Sequence, residues 1–417
     1  MRKRNMHNSK FTIHYSQFTI PHSPFTIILF TIILLNTFCI NATAQSNIEN
    51  ILAQIGKNNK TIQATAQYYE AQKLQFKTGN TPSNPFAEYE FLSGSPANAG
   101  NQQDFTIAQQ FDFPTAYIKK SQLAKTQTAQ TEFQLNASRQ DVLFEAKKNC
   151  IQLVYHNKLQ VQLTAQKQNT EKLLADFQTM LDKGDGNIMD VNKAKLQLIE
   201  IKKQFQENVS AVNQLNQKLT ELNGGIDISL SDTIYPISPP VPQFAQLEND
   251  YESADPLLKI LQQQKLIAQK QVELSKSLWL PKLEIGYHYQ AILGQTYNGI
   301  HTGISIPLWE NKNTVKLKKA QILFNDFELS AHTNEHFYHI KHIYEKYSNL
   351  KITLQEYQSV FSTLNNTALL NKALALGEIT TIQYFMEINY YSQALSSYLQ
   401  TEKDYHITIS ELYKYQL

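Results

Sequence analysis

Residues 278–309 read LWLPKLEIGYHYQAILGQTYNGIHTGISIPLW. In the first half Leu283, Ile285, Tyr287 and Tyr289 alternate with Lys282, Glu284, Gly286 and His288. In the second, Ile300, Thr302, Ile304 and Ile306 alternate with His301, Gly303 and Ser305. A period of two with one apolar and one polar face predicts a strand hairpin, with arms at 281–291 and 299–308. Each arm has about 9–11 residues, the length of a tilted strand crossing a bilayer. Trp279 and Trp309 stand at its two open ends, where strand pairing puts both at one level, as in an aromatic girdle. The same pattern also suits a surface hairpin of a soluble domain, so the rest of the chain must decide.

Working upstream, a second hairpin is predicted at 85–92 (PFAEYEFL) and 104–113 (DFTIAQQFDF), where Phe105, Ile107, Phe111 and Phe113 share one face. From Thr115 to Lys183 there is neither Gly nor Pro. As one helix that run would extend roughly 100 Å at 1.5 Å per residue. Leu143, Ala146, Cys150 and Leu153 follow the 3,4,3 spacing of a coiled-coil seam, which gives Cys150 a packing role. The turn Gly184-Asp185-Gly186-Asn187 ends the run, and helical pattern resumes at 188–222. Pro236, Pro239, Pro240 and Pro242 mark 223–250 as a linker.

Downstream the plan repeats: a helical segment at 251–279, the opening hairpin, then Glu310 to Leu376 without Gly or Pro, read as a second helix of roughly 100 Å. A break at Gly377 and a last helix with Ile388, Tyr391, Leu395 and Tyr398 on one stripe follow. Pro85 matches Pro281, Gln110 matches Pro307, Lys119-Lys120-Ser121-Gln122 matches Lys318-Lys319-Ala320-Gln321, and Gly184 matches Gly377. This is an internal duplication: 45–222 with its tip near 184, and 251–417 with its tip near 377.

The N-terminus reads as a targeting segment over 1–44. Arg2, Lys3 and Arg4 precede an apolar run from Phe25 to Ile40, and Ala42-Thr43-Ala44 forms a small-x-small cleavage site. Cys39 follows Phe38, where a lipid-attachment signal wants a small residue. Phe-Thr-Ile recurs at 11–13, 18–20 and 25–27, and no function attaches to it. With a formal net charge of +2 and a mean hydropathy of -0.40, nothing in the balance points to nucleic acid.

Four strands cannot close a barrel, and an open edge in lipid leaves backbone groups unpaired at several kcal/mol each. If these hairpins cross a membrane, the chain must oligomerise. At this point the chain resembles the TolC-type outer membrane efflux proteins over essentially its whole mature length. The resemblance rests on Asn84-Pro85 and Gln110 around the first hairpin and on Pro281 and Pro307-Leu308-Trp309 around the second. Gly184 with Met189-Asp190-Val191, and Gly377-Glu378-Ile379, complete it.

The resemblance implies a mostly helical fold with a transmembrane β part. Its form would be a homotrimer with a twelve-stranded barrel in outer membrane lipid, continued by a twelve-helix periplasmic tube. Its partners would be a periplasmic adaptor and an inner-membrane pump, most simply of the RND type. Its role would be passive exit of metal ions or small toxic compounds, with no enzymatic step, no cofactor and no nucleic acid. A periplasmic coiled-coil adaptor or structural protein is the alternative from another class.

Within that frame Glu88, Glu90, Glu284, His288 and His301 are pore-lining candidates, whose carboxylates would favour cations. Asp182, Gly184, Asp185, Gly377 and Glu378 are candidates for the periplasmic tip and adaptor contact. Acidic residues near such turns also serve as ordinary helix caps. His332-Thr333-Asn334-Glu335-His336 matches an inverted zinc-protease signature, but it lies inside a helical run whose repeat partner has nothing similar. His332, His336, His339 and His342 fall within an arc of about 120° on one helix face. They are the candidate metal ligands, and the feature that leans towards a heavy-metal efflux branch.

Overall fold

The computed structural model describes residues 47–417 apart from Asn365. The targeting segment, Cys39 and the Phe-Thr-Ile triplets lie outside the described residues. The elements in order are α1 (Asn47–Asn58), α2 (Lys60–Lys77), β1 (Phe86–Ser93), β2 (Asn101–Phe111), α3 (Pro114–Asp182) and α4 (Ile188–Leu222). Then follow α5 (Phe244–Ala254), α6 (Pro256–Ser277), β3 (Lys282–Ile292), β4 (Gln295–Ser305), α7 (Thr314–Phe361), α8 (Asn366–Ala375) and α9 (Thr381–Leu412).

Local chemistry sets the boundaries. Pro114 opens α3 and Pro256 opens α6, both at positions where the missing N–H costs nothing. Asn59, Asn187 and Asp255 cap the helices that follow them, each accepting a backbone N–H two or three residues on. Thr380 and Gln383 form a reciprocal capping box at the start of α9. α3 spans 69 residues, roughly 100 Å at 1.5 Å per residue.

Four expectations need correction. The run 310–376 is not one helix: α7 stops at Phe361 and α8 begins at Asn366. Ser359, Ser362 and Thr363 bond their hydroxyls back to carbonyls of the preceding turn, so short polar side chains end a helix that Gly or Pro would otherwise end. The linker read at 223–250 is shorter, because α5 starts at Phe244, and the segment read as one helix at 251–279 breaks where Asp255 caps α6. The second arm of each hairpin starts earlier than the sequence pattern indicates, at Asn101 and Gln295. In the second hairpin Leu293 and Gly294 both take positive φ (50° and 76°) and make a two-residue turn of the kind that matches strand twist. Leucine rarely accepts that conformation, which is why the turn is hard to foresee.

The four strands form one antiparallel sheet in sequence order, β1-β2-β3-β4. Tyr89, Phe105 and Tyr289 share one row across β1, β2 and β3, and Tyr287 faces Ile107 on one side and Ile300 on the other. Leu283 likewise faces Phe111 and Ile304. Period-two side chains therefore gather on one apolar face. That face is not covered by the chain: Ile300 is 81% exposed, Ile304 69% and Ile285 54%.

The buried core lies among the helices. Ile48, Ile51 and Ile55 of α1 pack with Ala146, Cys150 and Leu153 of α3 and with Leu219 and Leu222 of α4. A second cluster joins Leu247 of α5, Ile340 and Tyr347 of α7, and Ile409 and Leu412 of α9. Full burial of such aliphatic side chains contributes about 1.5–3 kcal/mol each. No described helix is long and apolar enough to cross a membrane.

Candidate channel wall and helical tips

The sheet register decides which predicted residues meet. Glu88, Thr106, His288 and Gly299 form one row, and Glu90, Asp104, Gln290 and Tyr297 form the next. Gln110, Glu284 and Gly303 form another, and His301 lies opposite Gly286. Glu88, Glu90, Glu284, His288 and His301 therefore all project from the face opposite the apolar one. His301 Nε2 lies 2.9 Å from Glu284 Oε1. His288 pairs through Nδ1 with the Thr106 hydroxyl at 2.8 Å, and its Nε2 stands 3.8 Å from Asp104 Oδ1. Asp104 accepts from Gln102 at 2.6 Å and sits directly across from Glu90, a like-charged pair that repels. Asp104 belongs to this polar wall although sequence reading singled out the apolar residues of its strand.

Trp279 and Trp309 lie beyond the strands, in the segments that join β3 and β4 to helices. The Asn311 amide donates to the Leu278 carbonyl, and Lys282 pairs with Glu310 at 3.0 Å, so both segments are tied at one end of the sheet. Trp279 is 44% exposed and Trp309 80%.

At the far end of the helices, two turns share one construction. Gly184 donates its N–H to Leu181 O and Asp185 donates to Met180 O. Gly377 and Glu378 repeat this with Leu374 O and Ala373 O. Both glycines have positive φ, 83° and 73°, as this helix-terminating motif requires. A cleft of about 950 Å³ separates the two turns, with Gly184 and Asp185 on one wall and Ile379, Thr380 and Thr381 on the other. Asp182, Asp185 and Glu378 are exposed, and Asp182 accepts from Gln178 at 3.0 Å.

The four-histidine face is divided by its packing. His332 and His336 turn to Asp255, at 3.4 Å and 3.7 Å, while His339 and His342 are exposed. Burial lowers the His336 pKa, against the opposing pull of Asp255. Among the described residues no group of three or more His, Cys, Asp or Glu side chains is placed to hold a metal ion.

No protein family model matches the chain, and no curated protein matches it by sequence. Solved structures do match. The transmembrane channel CusC superimposes with a TM-score of 0.67 at 12% identity, over 88% of this chain and 91% of that one. The CmeC outer membrane channel of Campylobacter jejuni gives 0.67 at 14% identity, over 89% and 85%. The outer membrane protein VceC of Vibrio cholerae gives 0.66 at 13%, over 89% and 94%. The chain has the TolC-type channel fold.

Within the TolC-type fold, several contacts escaped sequence reading. Asn169 of α3, Tyr384 of α9 and Asn371 of α8 close a ring of three side-chain hydrogen bonds, each 2.8 Å, beside the tip cleft. Asp255 caps α6 with one oxygen and meets two histidines of α7 with the other. Neither set has a sequence period, so no pattern along the chain announces it.

Proposed function

We propose that the chain is one protomer of an outer membrane exit duct. The observation that carries this reading is a four-stranded sheet with an exposed apolar face, a polar face and unpaired edges at β1 and β4. Open edges in lipid are costly, and pairing β4 of one copy with β1 of the next removes them. Three copies would give twelve strands, with the long helices continuing the wall into the periplasm. Glu88, Glu90, Asp104, Glu284, His288 and His301 would line the lumen, and Trp279 and Trp309 would mark the membrane surface on the helical side. The tips at Gly184 and Gly377, with Asp182, Asp185 and Glu378, would meet an adaptor fed by an inner-membrane pump of the RND type.

Such a duct passes its cargo without chemistry of its own, and metal ions or small toxic compounds suit that role. The histidine face gives a metal cargo little support, since His332 and His336 are engaged by Asp255.

The test is reconstitution. The purified protein should require detergent, have the mass of three chains in native mass spectrometry and give discrete conductance steps in a planar bilayer. A detergent-free soluble monomer without conductance would sink the proposal.

A further inference from the structure

The duplicated Lys-Lys-x-Gln segments lead to a charge pattern that conduction does not use. Segments 68–85, 112–127, 267–282 and 306–322 flank the sheet at the end where it meets the helices. Together they hold twelve lysines and four carboxylates. The rest of residues 47–417 is acidic, with thirty-two carboxylates against twenty-two Lys and Arg. Side-chain contacts place these segments at one level: Lys119 of α3 meets Glu273 of α6 at 2.8 Å, Lys120 reaches the Gly79 carbonyl, and Lys282 meets Glu310.

The two copies of the motif differ in what they contact. Lys119 and Lys120 are neutralised by Glu273 and Asp112. Among the described residues Lys318 and Lys319 make no ion pair, and neither do Lys77, Lys125, Lys276, Lys312 and Lys316; of these seven all but Lys318 are exposed. Lys276 lies three residues before Trp279 and Lys312 three after Trp309, so the unpaired charge begins where the exposed tryptophans end. Isolated like charges held together on a folded surface repel, and a polyanionic surface relieves that cost. An aromatic belt followed at once by lysines is the order in which a membrane–water interface meets a protein.

We propose that this lysine collar binds the headgroups of anionic phospholipids in the leaflet facing the helical tube. The inference rests on the membrane reading of the sheet. Lysines next to a membrane each favour anionic lipid by an amount that corresponds to roughly fivefold in association. The partner is thus a lipid surface with net negative phosphate or phosphoglycerol groups.

The experiment uses the full mature chain in phosphatidylcholine vesicles. Electron spin resonance of spin-labelled phosphatidylglycerol and spin-labelled phosphatidylcholine gives their relative association at the protein surface. The wild type should prefer phosphatidylglycerol, and 1 M salt should abolish the preference. The variant K276Q/K312Q/K316Q/K319Q removes exposed, unpaired charges and should lose at least tenfold of the preference. K60Q/K195Q/K341Q/K346Q, equal in charge but remote from the sheet, should keep it. Equal preference in wild type and collar variant, with both inserted, overturns the proposal and leaves the membrane reading standing. So does an unchanged lipid preference with altered cation–anion selectivity, which would place the lysines in the lumen. Failure of the wild type to float with vesicles overturns both.

Discussion

Asn169 on α3 donates its side-chain amide to the Tyr384 hydroxyl on α9 at 2.8 Å. The Tyr384 hydroxyl in turn donates to Asn371 Oδ1, and the Asn371 amide donates back to Asn169 Oδ1. Tyr384 is 1% exposed, so its hydroxyl depends on Asn169 and Asn371 for its hydrogen bonds. The ring joins α8 and α9, the second helical tip, to the long helix of the first repeat.

Tyr384→Phe keeps the ring's shape but leaves the Asn169 amide and the Asn371 oxygen without their partner. The expected cost is about 1–3 kcal/mol. Because the loss is local, amide exchange should accelerate over residues 366–390 while the core around Leu153 keeps its protection. Uniform acceleration throughout, or none, would contradict this coupling.

His406 lies stacked on Tyr235 with ring centroids 4.1 Å apart. Burial, followed by the nearby Lys158 ammonium, lowers its pKa to about 4. An unfolded chain binds the proton near pH 6.5. Between those values the unfolded state holds more protons, so stability present above about pH 6.5 is lost as pH falls towards 4. The expected loss is on the order of 2 kcal/mol after allowance for partial solvent access. Denaturant titrations at pH 7.5 and pH 4.5 should show it, and His406→Gln should flatten that part of the pH dependence.

Periodic features were legible in the sequence and non-periodic ones were not. The strand faces, the 69-residue helix and the twin glycine turns each leave a repeated signal, of period 2, of period 3.6 or of a matched Gly. The break after Phe361 left none, because Ser and Thr act through side-chain bonds visible only when the backbone is in place. His332 to His342 show the converse. Their angular spacing reads correctly as one arc, yet the position of Asp255 separates an inward pair from an outward one.

Cys150 is fully buried, and desolvation pushes its thiol up to about 12. The thiolate is the reactive species, so a neutral-pH maleimide should not label the native chain. Labelling should instead follow global unfolding across a denaturant series. Rapid labelling without denaturant would mean that the α1–α3–α4 core opens easily.

The two faces of β4 should respond differently to charge. Ile300 is on the apolar face and 81% exposed, whereas His301 projects to the other. In a bilayer, Ile300→Lys should cost about 2–4 kcal/mol near the midplane, while His301→Lys should be nearly neutral. Folding yield into vesicles measured over a urea series distinguishes them. Equal effects would deny that the apolar face meets lipid.

Two glycines of the second hairpin offer a sharper contrast, because Gly286 sits on the interior strand β3 and Gly299 on the edge strand β4, with different neighbours. A Cβ at Gly286 would fall 2.5 Å from the Ile107 carbonyl oxygen and 2.7 Å from the Ala108 Cβ. Both belong to the paired strand β2, and backbone cannot yield without disturbing the β2–β3 ladder. A Cβ at Gly299 meets nothing within 4 Å. Gly286→Ala should therefore lower the folded fraction and displace the pairing that joins the two halves of the duplication, since β2 closes the first hairpin and β3 opens the second. Gly299→Ala should fold as the wild type does, or slightly better, because alanine gives up less backbone freedom. Heat-modifiable migration in gels and amide protection across residues 104–110 would report both. If the two variants behave alike, β2 and β3 do not approach as closely as their register requires.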